Sequence, residues 1–222
     1  MKLVSAALLA FGLVALAACG GNRSARTIEL PGGGPSEPVA NEQAPPNFFE
    51  RMLGQDDRPN VGPCPLMGVL YEGSRKVEFA NPGEERYANI AYTGEMRGVR
   101  GLCRYVDADP ITMEMTIDMA FGRGPAATSN EHTYRYWVAV TRRGRAPIEK
   151  QYFDVNVRFP DDQAVVTHTE EIERIVIPRA NPDTSGENFE VLVGFDLTPE
   201  QIAFNRAGKR FRVDAPSQAA NQ

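Results

Sequence analysis

From Ile111 to Phe121 every odd position is apolar and every even one polar or small, in the run Ile-Thr-Met-Glu-Met-Thr-Ile-Asp-Met-Ala-Phe. Successive strand side chains point to opposite faces, so this alternation predicts a strand with one buried face. A helix would repeat its apolar positions every three to four residues instead. The same period runs through Tyr134, Tyr136, Val138 and Val140, and through Phe153, Val155, Val157 and Phe159. It returns in Phe189, Val191, Val193, Phe195 and Leu197. Less regular strands are expected at 66–71, 75–79, 87–96, 99–106 and 165–177. Turns are expected at Asp107-Ala108-Asp109-Pro110 and Arg142-Arg143-Gly144-Arg145.

Strands of this kind, with polar outer faces and no long amphipathic helix between them, imply an all-β domain over residues 62–213. The architecture expected is an antiparallel β-sandwich of the immunoglobulin or fibronectin type, with a small β-barrel as the alternative. One short C-terminal helix is expected after Thr198, which would cap it. Pro199 takes the first helical position and Gln201 completes a capping box. Charges such as Glu114 and Asp118 stand opposite the apolar face, which argues against a membrane barrel. Residues 214–222 read as a polar, disordered tail.

The N-terminus follows a different logic. Lys2 precedes an apolar run from Leu3 to Ala18, too short for a stable membrane span and ending in small residues before Cys19. This is the pattern of a secretory signal over residues 1–18, and Leu16-Ala17-Ala18-Cys19 resembles a bacterial lipobox. The resemblance implies cleavage before Cys19 and lipidation of its thiol, and the absence of Asp at the next position favours an outer-membrane anchor. An ordinary secretory signal with an accidental cysteine is the competing reading. Residues 19–61 are rich in Gly and Pro and keep no hydrophobic period, so they read as a flexible tether. One apolar island interrupts them, Phe48, Phe49, Met52 and Leu53, which Asn47 and Glu50 could organise into a short helix. It would dock on the domain or offer a partner-binding peptide.

Without residues 1–18 the chain loses Lys2 and its formal charge moves from -5 to -6. An acidic protein is poorly suited to nucleic acid or anionic headgroups. Cys64 and Cys103 are the only cysteines after Cys19. In an oxidising compartment they read as a disulfide closing a loop of about 40 residues, worth roughly 4 kcal/mol; free thiols or half a metal site are the alternatives.

Signals for chemistry are sparse. There is no nucleophile elbow, phosphate loop or zinc-protease helix, and nothing calls for a cofactor or metal. His132 and His168 are the only histidines, the first in a polar loop and the second on an expected strand. Asp107, Asp109, Asp161 and Asp162 have the look of turn residues rather than calcium ligands. Gly122-Arg123-Gly124-Pro125 opens a loop in which Arg123 could meet an anion, or it simply ends a strand. Trp137, the only tryptophan, falls on the odd face of its strand beside Arg135. That placement makes it an exposed contact aromatic or a ring packed under a loop.

Taken together, the lipobox, the Pro-rich spacer, Cys64-Pro65, the Arg123-Gly124-Pro125 loop, Trp137 to Val140 and the stretch from Leu192 to Gln201 resemble a group of uncharacterised bacterial envelope lipoproteins. The resemblance implies an envelope location and a single domain, and brings no catalytic residues. Three uses fit these observations. The preferred one is a non-enzymatic module that binds another envelope protein through Phe48, Phe49, Arg123, Arg135 or Trp137. The others are a receptor for glycan or peptidoglycan fragments and a hydrolase built on His168 or His132.

Overall fold

The computed structural model describes residues 26–31, 53 and 62–210. The segment expected to be a signal, 1–18, the expected lipidation site Cys19, Phe48, Phe49 and residues 214–222 lie outside the described residues. Of the 47–53 island only Leu53 is described, and it is exposed.

The alternation of 111–121 shows directly in the packing. Ile111, Met113, Met115, Ile117, Met119 and Phe121 are each at most 1 % exposed. They lie on β5 (Ile111–Arg123) and face an equally apolar row on β6 (Glu131–Arg142), where Tyr134, Tyr136, Val138 and Val140 are buried. Each such side chain contributes roughly 1.5–3 kcal/mol by leaving water, so this interlayer is the main source of stability.

The remaining elements are β1 (Thr27–Glu29), β2 (Leu66–Val69), β3 (Arg75–Phe79), β4 (Ile90–Arg104), β7 (Pro147–Arg158), β8 (Val165–Ile177), β9 (Phe189–Phe195) and the helix α1 (Pro199–Arg206). They form a five-stranded sheet ordered β1-β8-β5-β4-β3 and a four-stranded sheet ordered β2-β9-β6-β7. The two sheets share one core, as the expected sandwich requires. Its connectivity is not that of an immunoglobulin domain. The long pairs β4–β5, β5–β8, β6–β7 and β6–β9 are antiparallel, while the short edge pairs β1–β8 and β2–β9 are parallel. Alternation identifies a strand's faces but carries no information about the direction of its neighbour.

Two boundaries move. The strands expected at 87–96 and 99–106 are one strand, β4, whose register shifts between Met96 and Gly98. That β-bulge explains why the alternation breaks there. The tether read over 19–61 is also interrupted: β1 extends the first sheet, with Ile28 and Leu30 buried in the core. Residues 26–30, read as tether, therefore pack with the domain.

Cys64 and Cys103 form a disulfide, with α-carbons 5.5 Å apart. It joins the segment entering β2 in one sheet to β4 in the other. Tyr105 reinforces it: its hydroxyl donates to the Pro63 carbonyl at 3.0 Å and accepts the Gly186 amide at 3.0 Å. Helix α1 starts as the sequence predicts. The Thr198 hydroxyl accepts the Gln201 amide at 3.3 Å, and the Gln201 side chain accepts the Thr198 amide at 3.0 Å. The same Gln201 donates to the Val77 carbonyl, and Phe204 meets Phe79 edge-on, so the helix packs against β3.

Candidate functional site

The outer face of the second sheet gathers two of the expected binding residues. On β6, Arg135 and Trp137 point away from the core; on β7, Lys150 and Tyr152 stand beside them, with Trp137 directly opposite Tyr152. The Arg135 guanidinium lies 4.8 Å from the Tyr152 ring centre, and the Lys150 ammonium lies 5.1 Å from Tyr152 and 4.3 Å from Trp137. Cations and rings thus alternate in a ladder, Arg135-Tyr152-Lys150-Trp137, each exposed contact worth about 0.5–1 kcal/mol.

Of the two placements open to Trp137, an exposed ring or a packed one, the structure has the packed one. Only 8 % of it is accessible, and its indole N–H donates to the Phe195 carbonyl at 3.1 Å. The ring fits because its cross-strand neighbour is Gly194; a Cβ there would come within 2.6 Å of the indole. Tyr152, 43 % exposed, is the aromatic that solvent meets. The sequence signal for it was available: Tyr152 has the parity opposite to the inward Phe153. Among the described strands β7 has only β6 as a partner, so one long edge of this face is open.

Arg123 does not join this face. It ends β5 in the other sheet, contacts the Asn130 side chain and donates to the Asp161 carbonyl at 3.2 Å. Asn130 in turn donates to the Asp161 carboxylate at 2.7 Å. Arg123 therefore ties two loops together, and its neighbour Gly124 makes room for backbone rather than for a ligand. A Cβ at Gly124 would lie 2.2 Å from the Ile90 carbonyl oxygen.

Both histidines pair with glutamates. His132 lies 3.1 Å from Glu78 and stacks on Tyr92 with ring centres 4.0 Å apart. Burial acts to raise the Glu78 pKa, but the hydrogen bond from His132 and the charges of Lys76 and His132 outweigh it and hold the carboxyl below its usual range. His168 contacts Glu170, whose side chain is only 7 % exposed. Glu170 also pairs with Arg26 at 3.0 Å and accepts the Tyr136 hydroxyl at 3.2 Å. Sequence reasoning missed this cluster because Arg26 and Glu170 are far apart along the chain and neither carries a motif. Burial, and then the nearby carboxylates, push the phenols of Tyr134 and Tyr136 well above their ordinary value.

Among the described residues neither imidazole hydrogen-bonds to a serine, threonine or cysteine, which a nucleophile activated by histidine requires. The Glu170 cluster instead fastens β1 to the sandwich, since Arg26 opens that strand. Among the described residues no group of three His, Cys, Asp or Glu side chains is placed to hold a metal ion. Asp107 and Asp109 shape the β4–β5 turn, and their carbonyl oxygens accept from Arg179. No family model matches the chain, and no curated protein or solved structure matches it.

Proposed function

We propose that this chain is a lipid-anchored, non-enzymatic binding module of a bacterial envelope complex. The observation that carries the reading is the cation–aromatic ladder, Arg135-Tyr152-Lys150-Trp137, beside the open edge of β7. Arginine and tyrosine are the residues that dominate protein contact surfaces, and an open edge accepts a strand from a partner. The lipobox at 16–19 supports a thioether-linked anchor at Cys19, and the Cys64–Cys103 disulfide supports an oxidising compartment such as the periplasm. Arg26 follows Cys19 by seven positions, a span of roughly 25 Å at full stretch. The anchor would therefore keep the domain close to the bilayer, and its partner would be another protein at the membrane surface.

The test is photo-crosslinking in intact cells from position 152, with Cys19→Ala as the anchor control. A defined envelope protein should be trapped, and Arg135→Ala combined with Lys150→Ala should weaken the trap at least tenfold. Absence of any reproducible partner, with palmitate incorporation unaffected by Cys19→Ala, removes both halves of the proposal. A second reading, a receptor for glycan or cell-wall fragments, is favoured by the same rings. Trp137 is the only tryptophan and lies under Lys150, so its fluorescence reports occupancy. A flat titration across a panel of cell-wall fragments eliminates that reading.

A further inference from the structure

On the opposite side of the molecule a cleft of about 160 Å³ opens between the C-terminal end of α1 and the strands β3, β4 and β5. Arg75, Lys76, Arg97, Lys209 and Arg210 line it, with Glu95 as the carboxylate among them, and Lys76 is paired with Glu78. Lys209 is occupied by Glu85, and nearby Arg206 by Glu72. Arg75, Arg97 and Arg210 form no ion pair among the described residues. Arg75 stands directly across from Glu95 in the β3–β4 register, yet the two do not pair; its guanidinium lies over the Tyr71 ring at 5.8 Å. Its Nε and Nη2 atoms are buried and have no hydrogen-bond partner. Buried guanidinium N–H groups without an acceptor are costly, and the Tyr71 ring offsets that cost only in part.

We infer that this cleft binds a phosphoryl group. Three unpaired arginines less one carboxylate leave a local charge near +2, which matches a phosphate monoester at about -1.5 to -2 near neutral pH. A monocarboxylate would leave the cleft half neutralised. The guanidinium fork also matches phosphate oxygens in a bidentate geometry, and a shift of the Arg75 side chain toward a seated oxygen would give its buried N–H groups the acceptor they lack. The backbone is already braced for the task, because Asn205 of α1 donates to the Arg75 and Glu72 carbonyls, both at 2.7 Å. The site is separate from the ladder face and stands independently of the proposed function. It also qualifies the charge argument: an acidic chain can still concentrate cations at one place. A free phosphomonoester and the monoester headgroup of phosphatidic acid share this chemistry, and the test separates the two sources.

The test titrates the full-length protein with inorganic phosphate and with glycerol 3-phosphate by calorimetry, against chloride at equal ionic strength. Sedimentation with phosphatidic acid and with phosphatidylcholine vesicles forms the second arm. Saturable binding of phosphate or of the ester is expected, weakened at least tenfold by Arg75→Gln and strengthened severalfold by Glu95→Gln. Should Arg75→Gln fail to fold, the rim variant Arg97→Ala with Arg210→Ala reads the same loss. Binding of phosphatidic acid vesicles alone, lost in these variants, assigns the group to a lipid monoester headgroup. Phosphate no better than chloride together with vesicle binding unaffected by the variants overturns the site, as does a Glu95→Gln protein that merely loses stability without gaining affinity.

Discussion

The two short edge strands solve the same problem by different means. β1 and β2 each add parallel to the end of a sheet, β1 beside β8 and β2 beside β9, and each offers only three or four residues of pairing. So little ladder cannot hold an edge strand by hydrogen bonds alone, and each is locked at its entrance. Before β2 the lock is covalent, Cys64 to Cys103. Before β1 it is electrostatic, Arg26 to Glu170, with Tyr136 and His168 completing the shell of the carboxylate. The difference matters for where each lock can fail. A disulfide ignores salt and acid but yields to reductant; an ion pair does the reverse. If Cys19 carries the anchor, the electrostatic lock is also the one nearest the membrane.

Breaking the covalent lock should cost most. Cys64→Ser with Cys103→Ser frees a loop whose ends are 39 positions apart, for an expected loss of about 4 kcal/mol. Urea unfolding with and without reductant measures it, and the double variant should no longer respond to reductant. A midpoint unchanged by the substitutions would mean that β2 is held by its ladder after all.

Breaking the electrostatic lock should cost somewhat less. Arg26→Ala leaves Glu170 buried beside His168, for an expected loss of about 3 kcal/mol. Hydrogen exchange should show the Ile28 and Leu30 amides released, while the β5 amides keep their protection. Because the two locks share no residue, their costs should add when all three substitutions are combined. Strong non-additivity would show that the edges communicate through the core.

The comparison also shows what could be read from the chain. β5, β8 and the start of α1 were legible because each rests on local rules: an eleven-residue alternation, a polar-to-apolar run at 165–177, and a capping box contained in Thr198 to Gln201. β1 was not, since Thr27, Ile28 and Glu29 offer one inward residue amid glycine and proline, too few for any period. Its partner Glu170 is a long-range choice that no local window contains. Trp137 was left open between two placements for a related reason. Strand parity correctly places it on the outer face, but whether an outer ring is exposed depends on the neighbouring strand, and that neighbour is Gly194. The cleft beside α1 was equally hidden, because Arg75, Arg97 and Arg210 are scattered in sequence and converge only through the β3–β4 pairing and the docking of the helix.

A second carboxylate sharpens the contrast between the locks by its response to acid. Glu78 links β3 to His132 of β6, and so joins the two sheets electrostatically where the disulfide joins them covalently. Its pKa is held below the ordinary carboxylate value, against the opposing pull of burial, by the His132 hydrogen bond and the Lys76 and His132 charges. A folded-state pKa below the unfolded one contributes stability that is fully present above about pH 4.3–4.5 and lost as pH falls through the folded value. Glu78→Gln should therefore lower Tm modestly near neutrality and flatten its fall between about pH 5 and pH 3. Thermal unfolding of both proteins across that range measures the effect. If the two curves stay parallel down to pH 3, the carboxylate contributes through packing rather than charge, and the disulfide is the principal side-chain bond between the sheets on that evidence.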